Sequence, residues 1–160
     1  MENITFQDLD GDIKLLVYFM AILIMAVYVA YVVSVRSTIK LIAPENRFIQ
    51  PNHAFLLLLP IFNVYWQFVV ANRLSDSLTN EFYDRKIAEE ENPGRSTGRV
   101  FAVLSLLVSL PIPSVSMVFA LAYMTYFVLY WTKVIHFKHV LAEHDRYLES
   151  KGKGKPSGEM

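Results

Sequence analysis

The chain has no cysteine among its 160 residues. This absence excludes disulfides, catalysis by a thiol and metal sites built from cysteine ligands. Basic and acidic residues are equal in number, 15 of each, so there is no excess of basic charge. Proteins that bind nucleic acid present a basic surface, and we therefore expect no nucleic-acid partner. Charged residues are also missing from two long stretches, 15–35 and 100–132.

The common catalytic signatures are missing as well. The sequence contains no His-Glu-x-x-His, no Gly-x-Ser-x-Gly, no phosphate-binding loop and no Gly-x-Gly-x-x-Gly. Proton-coupled transporters place an ionisable residue inside the bilayer. The apolar stretches hold no such residue at the depth of the bilayer centre. The missing ionisable residue argues against proton-coupled transport. The missing catalytic signatures lead us to expect no enzymatic activity and no cofactor.

Long apolar segments dominate what is present, and hydrophobic residues make up 54% of the chain. An uncharged apolar run of about 18 residues or more indicates a membrane-spanning helix. The fold class is therefore predicted to be all-α, an integral membrane bundle of four apolar helices. Their predicted ranges are 13–35, 53–71, 97–110 and 114–137.

The second of these helices differs from the others because it carries polar groups. Pro60 lacks a backbone N–H, so it should kink the helix. Asn63 and Gln67 lie one turn apart and should hydrogen-bond to neighbouring helices, as amides do in bilayers. A second interpretation is that these two amides line a path for solutes. Trp66 is typical of the membrane interface.

An amphipathic helix on the cytoplasmic side should extend the second span, from residue 72 to about residue 90. Its apolar stripe recurs every four residues, at Leu74, Leu78 and Phe82. Glu81 and Arg85 are four residues apart in the favourable order for a helical ion pair. Arg73 and Asp76 are predicted to form an ion pair at the rim of the membrane.

The third and fourth helices are predicted to form a hairpin that is broken at Pro111-Ile112-Pro113. Residues 1–145 should form a single helical membrane domain. Residues 146–160 end in a run rich in Lys, Gly and Ser, and we expect them to be a disordered tail.

Two topologies fit the distribution of basic residues. If all four helices cross, both termini are cytoplasmic, and 12 of the 15 basic residues lie inside while Arg36, Lys40 and Arg47 lie outside. If residues 53–71 instead enter the membrane and return, these three basic residues lie inside and the acidic N-terminus lies outside. The first topology is the primary expectation.

Three residues near the end of the fourth helix have the spacing of metal ligands. His136, His139 and Glu143 share one helix face, and two histidines with one carboxylate are a known ligand set. Polar residues of this kind also collect beside the membrane without binding metal. We therefore predict no metal site and expect a His136→Ala, His139→Ala variant to keep its stability.

The combined pattern resembles a group of small, uncharacterised bacterial membrane proteins, common in Bacteroidetes-like genomes, that carry a domain of unknown function. The residues that carry the resemblance are Pro44-Glu45-Asn46-Arg47, Leu59-Pro60-Ile61-Phe62-Asn63-x-x-Trp66-Gln67-Phe68, Leu74-Ser75-Asp76-Ser77-Leu78-x-x-Glu81-Phe82 and Asn92-Pro93-Gly94. It covers roughly residues 40–135. It implies a helical inner-membrane protein and brings no activity. This chain differs from the group at Pro111-Ile112-Pro113, where the group tends to have a turn containing glycine.

The sequence thus predicts a non-enzymatic, multi-pass protein of the bacterial cytoplasmic membrane. Its expected role is that of a scaffold, an assembly protein or a lipid-facing accessory protein. Its expected partners are membrane lipids and either another membrane protein or further copies of the chain. The alternatives are a channel or small-solute permease lined by Asn63 and Gln67, and a metal-dependent membrane enzyme that uses the tail histidines.

Overall fold

A computed structural model of the chain describes residues 11–110 and 113–153. Four α-helices account for most of this part: α1 (Gly11–Leu41), α2 (Phe62–Arg85), α3 (Arg95–Val108) and α4 (Pro113–Lys153). Two 3₁₀ helices, Pro44–Asn46 and Pro51–Leu58, lie between α1 and α2. The described residues contain no strand. The prediction of an all-α chain is therefore confirmed for this part of the sequence.

Two helices are long and apolar enough to cross a membrane, namely α1 and the part Val118–Lys151 of α4. Only 11% and 17% of their most apolar windows are buried within the chain. The core helix of a soluble protein would instead bury most of such a stretch. The exposed apolar side chains of both helices support the membrane prediction in its general form.

The second predicted span, residues 53–71, is not one kinked helix. The 3₁₀ helix Pro51–Leu58 ends at Leu59, which is extended at φ −78° and ψ 117°. The α conformation is disfavoured for a residue that precedes proline, so Pro60 stops the helix instead of bending it. The next helix, α2, begins only at Phe62.

The chain reverses direction at this break. The indole Nε1 of Trp66 donates to the backbone carbonyl of His53 at 2.8 Å, although the two residues are 13 positions apart. In a straight α-helix they would be separated by about 20 Å along the axis. We call residues 51–71 the apolar hairpin.

The other predicted boundaries shift in both directions. Helix α3 has 14 residues, or about 21 Å, which is less than the roughly 30 Å of a bilayer core. Helix α2 ends at Arg85, before the predicted end near residue 90, because Lys86 takes the left-handed conformation at φ 57°. Helix α4 continues to Lys153 and so enters the segment predicted to be disordered. Residues 111–112, where the hairpin break was predicted, and 154–160 of the tail lie outside the described residues.

The chain divides into two compact units between Tyr31 and Val32, and the division falls inside α1. In the second unit, α2, α3 and α4 pack around Phe101, whose ring is 5.2–6.0 Å from the rings of Tyr123, Phe127 and Tyr130. Gly98 permits this close packing. A Cβ atom there would lie 2.7 Å from the ring of Tyr130 and 2.8 Å from Ala71.

Within the second unit, the end of α1 and the middle of α4 run in the same direction. The Trp131 indole donates to the Ser34 hydroxyl at 3.0 Å. One turn further along both helices, the hydroxyl of Thr38 donates to the carbonyl of Val134 at 3.3 Å. Residue numbers rise together along the two helices, so they are parallel here.

The reversal of the apolar hairpin generates a test of backbone strain. Ile61 has φ 68°, a region that a β-branched residue adopts at a cost of about 1–2 kcal/mol. Its side chain is 93% exposed within the chain, so little packing is lost when it is removed. We expect Ile61→Gly to raise the free energy of unfolding by about 1 kcal/mol, measured by denaturant titration in detergent micelles.

Leu59→Gly is the matched control, because Leu59 is also exposed but has an ordinary negative φ. Glycine there should lower the stability by up to about 1 kcal/mol through backbone entropy. Equal losses in the two variants would mean that residue 61 is not strained.

Candidate functional site: a buried ion-pair network at the polar end of the helices

The polar residues predicted for the second span have different surroundings. Gln67 is buried, whereas Asn63 is only half-buried. The Asn63 carboxamide makes no side-chain hydrogen bond with another described residue. The contact that holds the apolar hairpin closed comes from Trp66, whose ring also stacks on Phe62 at 5.4 Å. Trp66 therefore acts inside the fold, while hydrogen bonding of the two amides across helices stays a prediction.

The predicted ion pair between Arg73 and Asp76 is not formed, and this prediction is corrected. Asp76 instead pairs with Arg95, at the start of α3. Arg73 donates through Nη1 to the carbonyl of Phe48 at 3.4 Å. The packing of α3 against α2 brings Arg95 to Asp76, a contact that spacing along α2 does not reveal.

Glu81 is the centre of the polar contacts near the C-terminal end of α2. Its side chain is 2% exposed. Its carboxylate accepts hydrogen bonds from Nε of Arg85 at 2.6 Å, from Nδ2 of Asn46 at 2.9 Å and from the backbone N–H of Ala43 at 3.0 Å. A buried carboxylate is stable only when paired and hydrogen-bonded, and these three donors meet that requirement. We call Asn46, Glu81, Asp84, Arg85 and Asp145 the Glu81 network.

Arg85 connects this carboxylate to two further helices. Its Nη1 donates to Asp145 of α4 at 2.5 Å, and its Nη2 donates to the carbonyl of Leu41 at the end of α1 at 3.0 Å. Burial alone would lower the pKa of Arg85. The hydrogen bonds to Glu81 and Asp145, together with their charges, outweigh burial and raise that pKa. The guanidinium is therefore permanently charged.

The same region caps the C-terminus of α1. The last carbonyls of a helix have no partner within it, and basic groups there also interact favourably with the helix dipole. Arg47 donates to the carbonyls of Ile42 at 2.7 Å and of Lys40 at 2.9 Å, while Arg85 takes Leu41. Asn46 adds a bond to Asp84 at 2.8 Å. The network thus joins the end of α1, the connector of residues 42–52, α2 and α4.

The histidines considered for metal binding have a simpler setting. His136 lies 3.3 Å from Glu89, in the loop that precedes α3. Beside it, Lys133 pairs with Glu90, and this hydrogen bond lowers the pKa of the Glu90 carboxyl. Within the described residues there is no group of three or more histidine or acidic side chains placed to hold a metal ion, and this includes His139 and Glu143.

The arrangement of the Glu81 network indicates a structural role. Both oxygens of the Glu81 carboxylate accept hydrogen bonds from the chain, and the side chain is 2% exposed, so a substrate has no access to this carboxylate. More generally, no buried side-chain nitrogen or oxygen in the described part of the chain lacks a hydrogen-bond partner. Comparison with protein-family models, curated proteins and solved structures found no match.

The energetics of the network can be tested at its centre. Glu81→Gln keeps the shape of the side chain but removes the charge that compensates Arg85. In the variant Arg85 keeps only Asp145 as a charged partner, and the amide nitrogen of the glutamine faces a donor where the carboxylate accepted a hydrogen bond. We expect a loss of about 3 kcal/mol in the free energy of unfolding. The measurement is again denaturant titration in micelles.

Glu149→Gln removes one negative charge from the exposed surface of α4 and serves as the control. It should change stability by less than about 0.5 kcal/mol. Similar losses for the two variants would contradict the central role of Glu81.

Proposed function

We propose that the chain is a non-enzymatic integral membrane protein that crosses the bilayer with α1 and α4 and serves as a scaffold for other membrane components. The observation that carries this proposal is the pair of long, exposed, apolar helices whose polar ends are tied by the Glu81 network. A membrane supplies the apolar surroundings that these side chains lack within the chain. The compartment that fits the resemblance described above is the bacterial cytoplasmic membrane.

The parallel course of the end of α1 and the middle of α4, both within the second unit, favours one topology. If both helices cross, they cross in the same sense, so their C-terminal ends lie on one side and α3 has to lead the chain back across the bilayer between them. All 15 basic residues except Lys14 follow the uncharged stretch of α1, at Arg36 or later. The positive-inside rule then places this end in the cytoplasm and the acidic N-terminus outside. This is the second of the two topologies considered for the sequence.

The apolar hairpin fits this topology as a re-entrant segment. Ala71 lies beside Gly98, near the level of Tyr130 in α4. From Ala71 back to Phe62 the helix extends about 14 Å, close to half of the bilayer core. The side chains around the reversal, Leu59, Ile61 and Phe62, are exposed and apolar. We infer that the hairpin enters from the cytoplasmic side and turns near the middle of the bilayer.

A scaffold role agrees with how the polar groups are used. The buried side chains of Thr38, Asn46 and Glu81 each make hydrogen bonds between segments of the chain. A permease lined by Asn63 and Gln67 would need both amides on an open path, but Gln67 is buried. The first unit of the chain exposes large apolar side chains along its helix, among them Leu15, Ile22 and Met25. Lipids and a partner helix, from another protein or a second copy, are the proposed occupants of this surface.

Single cysteines test the topology directly, because the natural chain contains none. We expect Thr5→Cys to react with an impermeant thiol reagent in intact cells, while Glu45→Cys and Ser157→Cys react only after the membrane is opened. Four crossings would give the opposite result at positions 5 and 45. Release of the wild-type chain from membranes by alkaline carbonate would contradict membrane crossing altogether.

A photo-crosslinking amino acid separates a scaffold from a protein that contacts only lipid. Placed at Ile22, which is 69% exposed, it should yield discrete protein adducts in native membranes on denaturing gels. Leu121, which is 65% exposed on α4, is the matched position for comparison. Lipid adducts alone at both positions would contradict the scaffold role.

A further inference from the structure

A cavity of about 600 Å³ lies between the C-terminal part of α1 and the connector of residues 42–52. Its wall carries three basic side chains, Arg36, Lys40 and Arg47, together with the amides of Gln50 and Asn52. We call it the cationic cavity. Most of its exposed lining is polar, unlike the grooves along the first part of α1.

The basic residues of the cationic cavity have no acidic partner among the described residues, in contrast to three other basic residues of the chain. Arg85, Arg95 and Lys133 each pair with a carboxylate. Arg36 instead donates to Oδ1 of Asn52 at 3.3 Å, and Arg47 donates to backbone carbonyls. In the described part of the chain, none of the three forms an ion pair. Three like charges around one cavity repel each other, and an anion would remove that repulsion.

The cationic cavity also lies where charge first appears after the uncharged stretch of α1. Arg36 is the first charged residue after that stretch. Its guanidinium carbon is 5.3 Å from the centre of the Phe55 ring, which is 43% exposed. Val33, one turn earlier on α1, is exposed as well. A cationic cavity beside exposed apolar side chains matches a ligand with an anionic head and apolar chains.

We propose that the cationic cavity binds the phosphate headgroup of an anionic phospholipid from the cytoplasmic leaflet. This inference rests on the membrane crossing proposed above. Guanidinium and ammonium groups form charge-assisted hydrogen bonds to phosphate oxygens. Basic pockets on the cytoplasmic side of membrane helices are suited to such headgroups. Nη1 of Arg36 and Nζ of Lys40 have no partner among the described residues and supply the free donors. The acyl chains then lie against Phe55 and Val33.

The test is a titration of the purified full-length chain in a neutral detergent with dihexanoyl phosphatidylglycerol, followed by microscale thermophoresis. The informative variant is Arg36→Gln with Lys40→Gln, which removes two charges from the cationic cavity. The control variant is Lys138→Gln with Arg146→Gln, which removes two charges from the same polar end of the molecule but outside the cavity. Both variants alter the overall charge equally, so they separate a site from general electrostatic attraction.

We expect the Kd for this lipid to rise about tenfold or more in the cavity variant and by less than about twofold in the control. Lys40→Gln alone is a second variant, since the Lys40 side chain is exposed and makes no hydrogen bond or ion pair with another described residue. It should raise the Kd by about threefold to fivefold. Equal losses in the two double variants, or no loss in the cavity variants, would overturn the site.

Two further ligands identify the source of the phosphate. Dihexanoyl phosphatidylcholine, which is zwitterionic, should bind at least about tenfold more weakly than the anionic lipid. Orthophosphate should fail to displace the lipid at equal concentration, because it lacks the apolar chains. Displacement by orthophosphate would assign the cavity to a soluble phosphate and refute the lipid. These readouts are independent of carbonate extraction, so failure of the site and failure of the membrane crossing are distinguishable.

Discussion

The structure depends on the buried ion pair between Glu81 and Arg85. A carboxylate that is 2% exposed must recover the free energy of hydration that it loses. It does so through one guanidinium, one amide and one backbone N–H, each from a different residue. Because these donors belong to the connector after α1 and to α2, the carboxylate is satisfied only when those segments meet. Arg85 extends the requirement to α4 through Asp145.

This requirement constrains the path of the chain after α1. The C-terminal carbonyl of Leu41 and the side chain of Asp145 share the guanidinium of Arg85, so the ends of α1 and α2 and this part of α4 are adjacent. The segment 42–85 therefore has to leave this end and return to it. A straight crossing by residues 53–71 would carry the chain away from it. The reversal at Pro60 thus allows the chain to come back to the end where the buried pair forms.

Sequence reasoning reached the all-helical class and the apolar stretches, because both follow from local composition and helix length. It also identified Glu81 and Arg85 as a pair, since the two are four residues apart. It did not predict that Glu81 is buried. The available signal was the position of Glu81 three residues after Leu78 and seven after Leu74, beside the apolar stripe. It could not assign Asn46 or Asp145 to the same network, because those contacts depend on packing between distant segments.

The break at Pro60 could also be predicted only in part from the sequence. Proline removes a hydrogen bond and restricts the preceding residue, so an interruption at this point was predictable. Whether the chain then bends or reverses depends on contacts between its two arms. Here the Trp66 indole, which donates to the His53 carbonyl and meets the His53 ring edge-on, favours reversal. The ion pair between Asp76 and Arg95 likewise depends on packing, since the two residues meet only when α3 lies against α2.

Three basic residues that hold segments together differ in their partners from the three that line the cationic cavity. Arg85, Arg95 and Lys133 each neutralise a carboxylate from another part of the chain or the next turn, so their charges are used to hold segments together. Arg36, Lys40 and Arg47 have only neutral oxygens or no partner, although acidic residues are as numerous as basic ones in the chain. An excess of unpaired positive charge therefore remains at the point where α1 leaves its uncharged stretch. In the proposed membrane orientation, the anionic headgroups of the bilayer would supply the compensating charge at that depth.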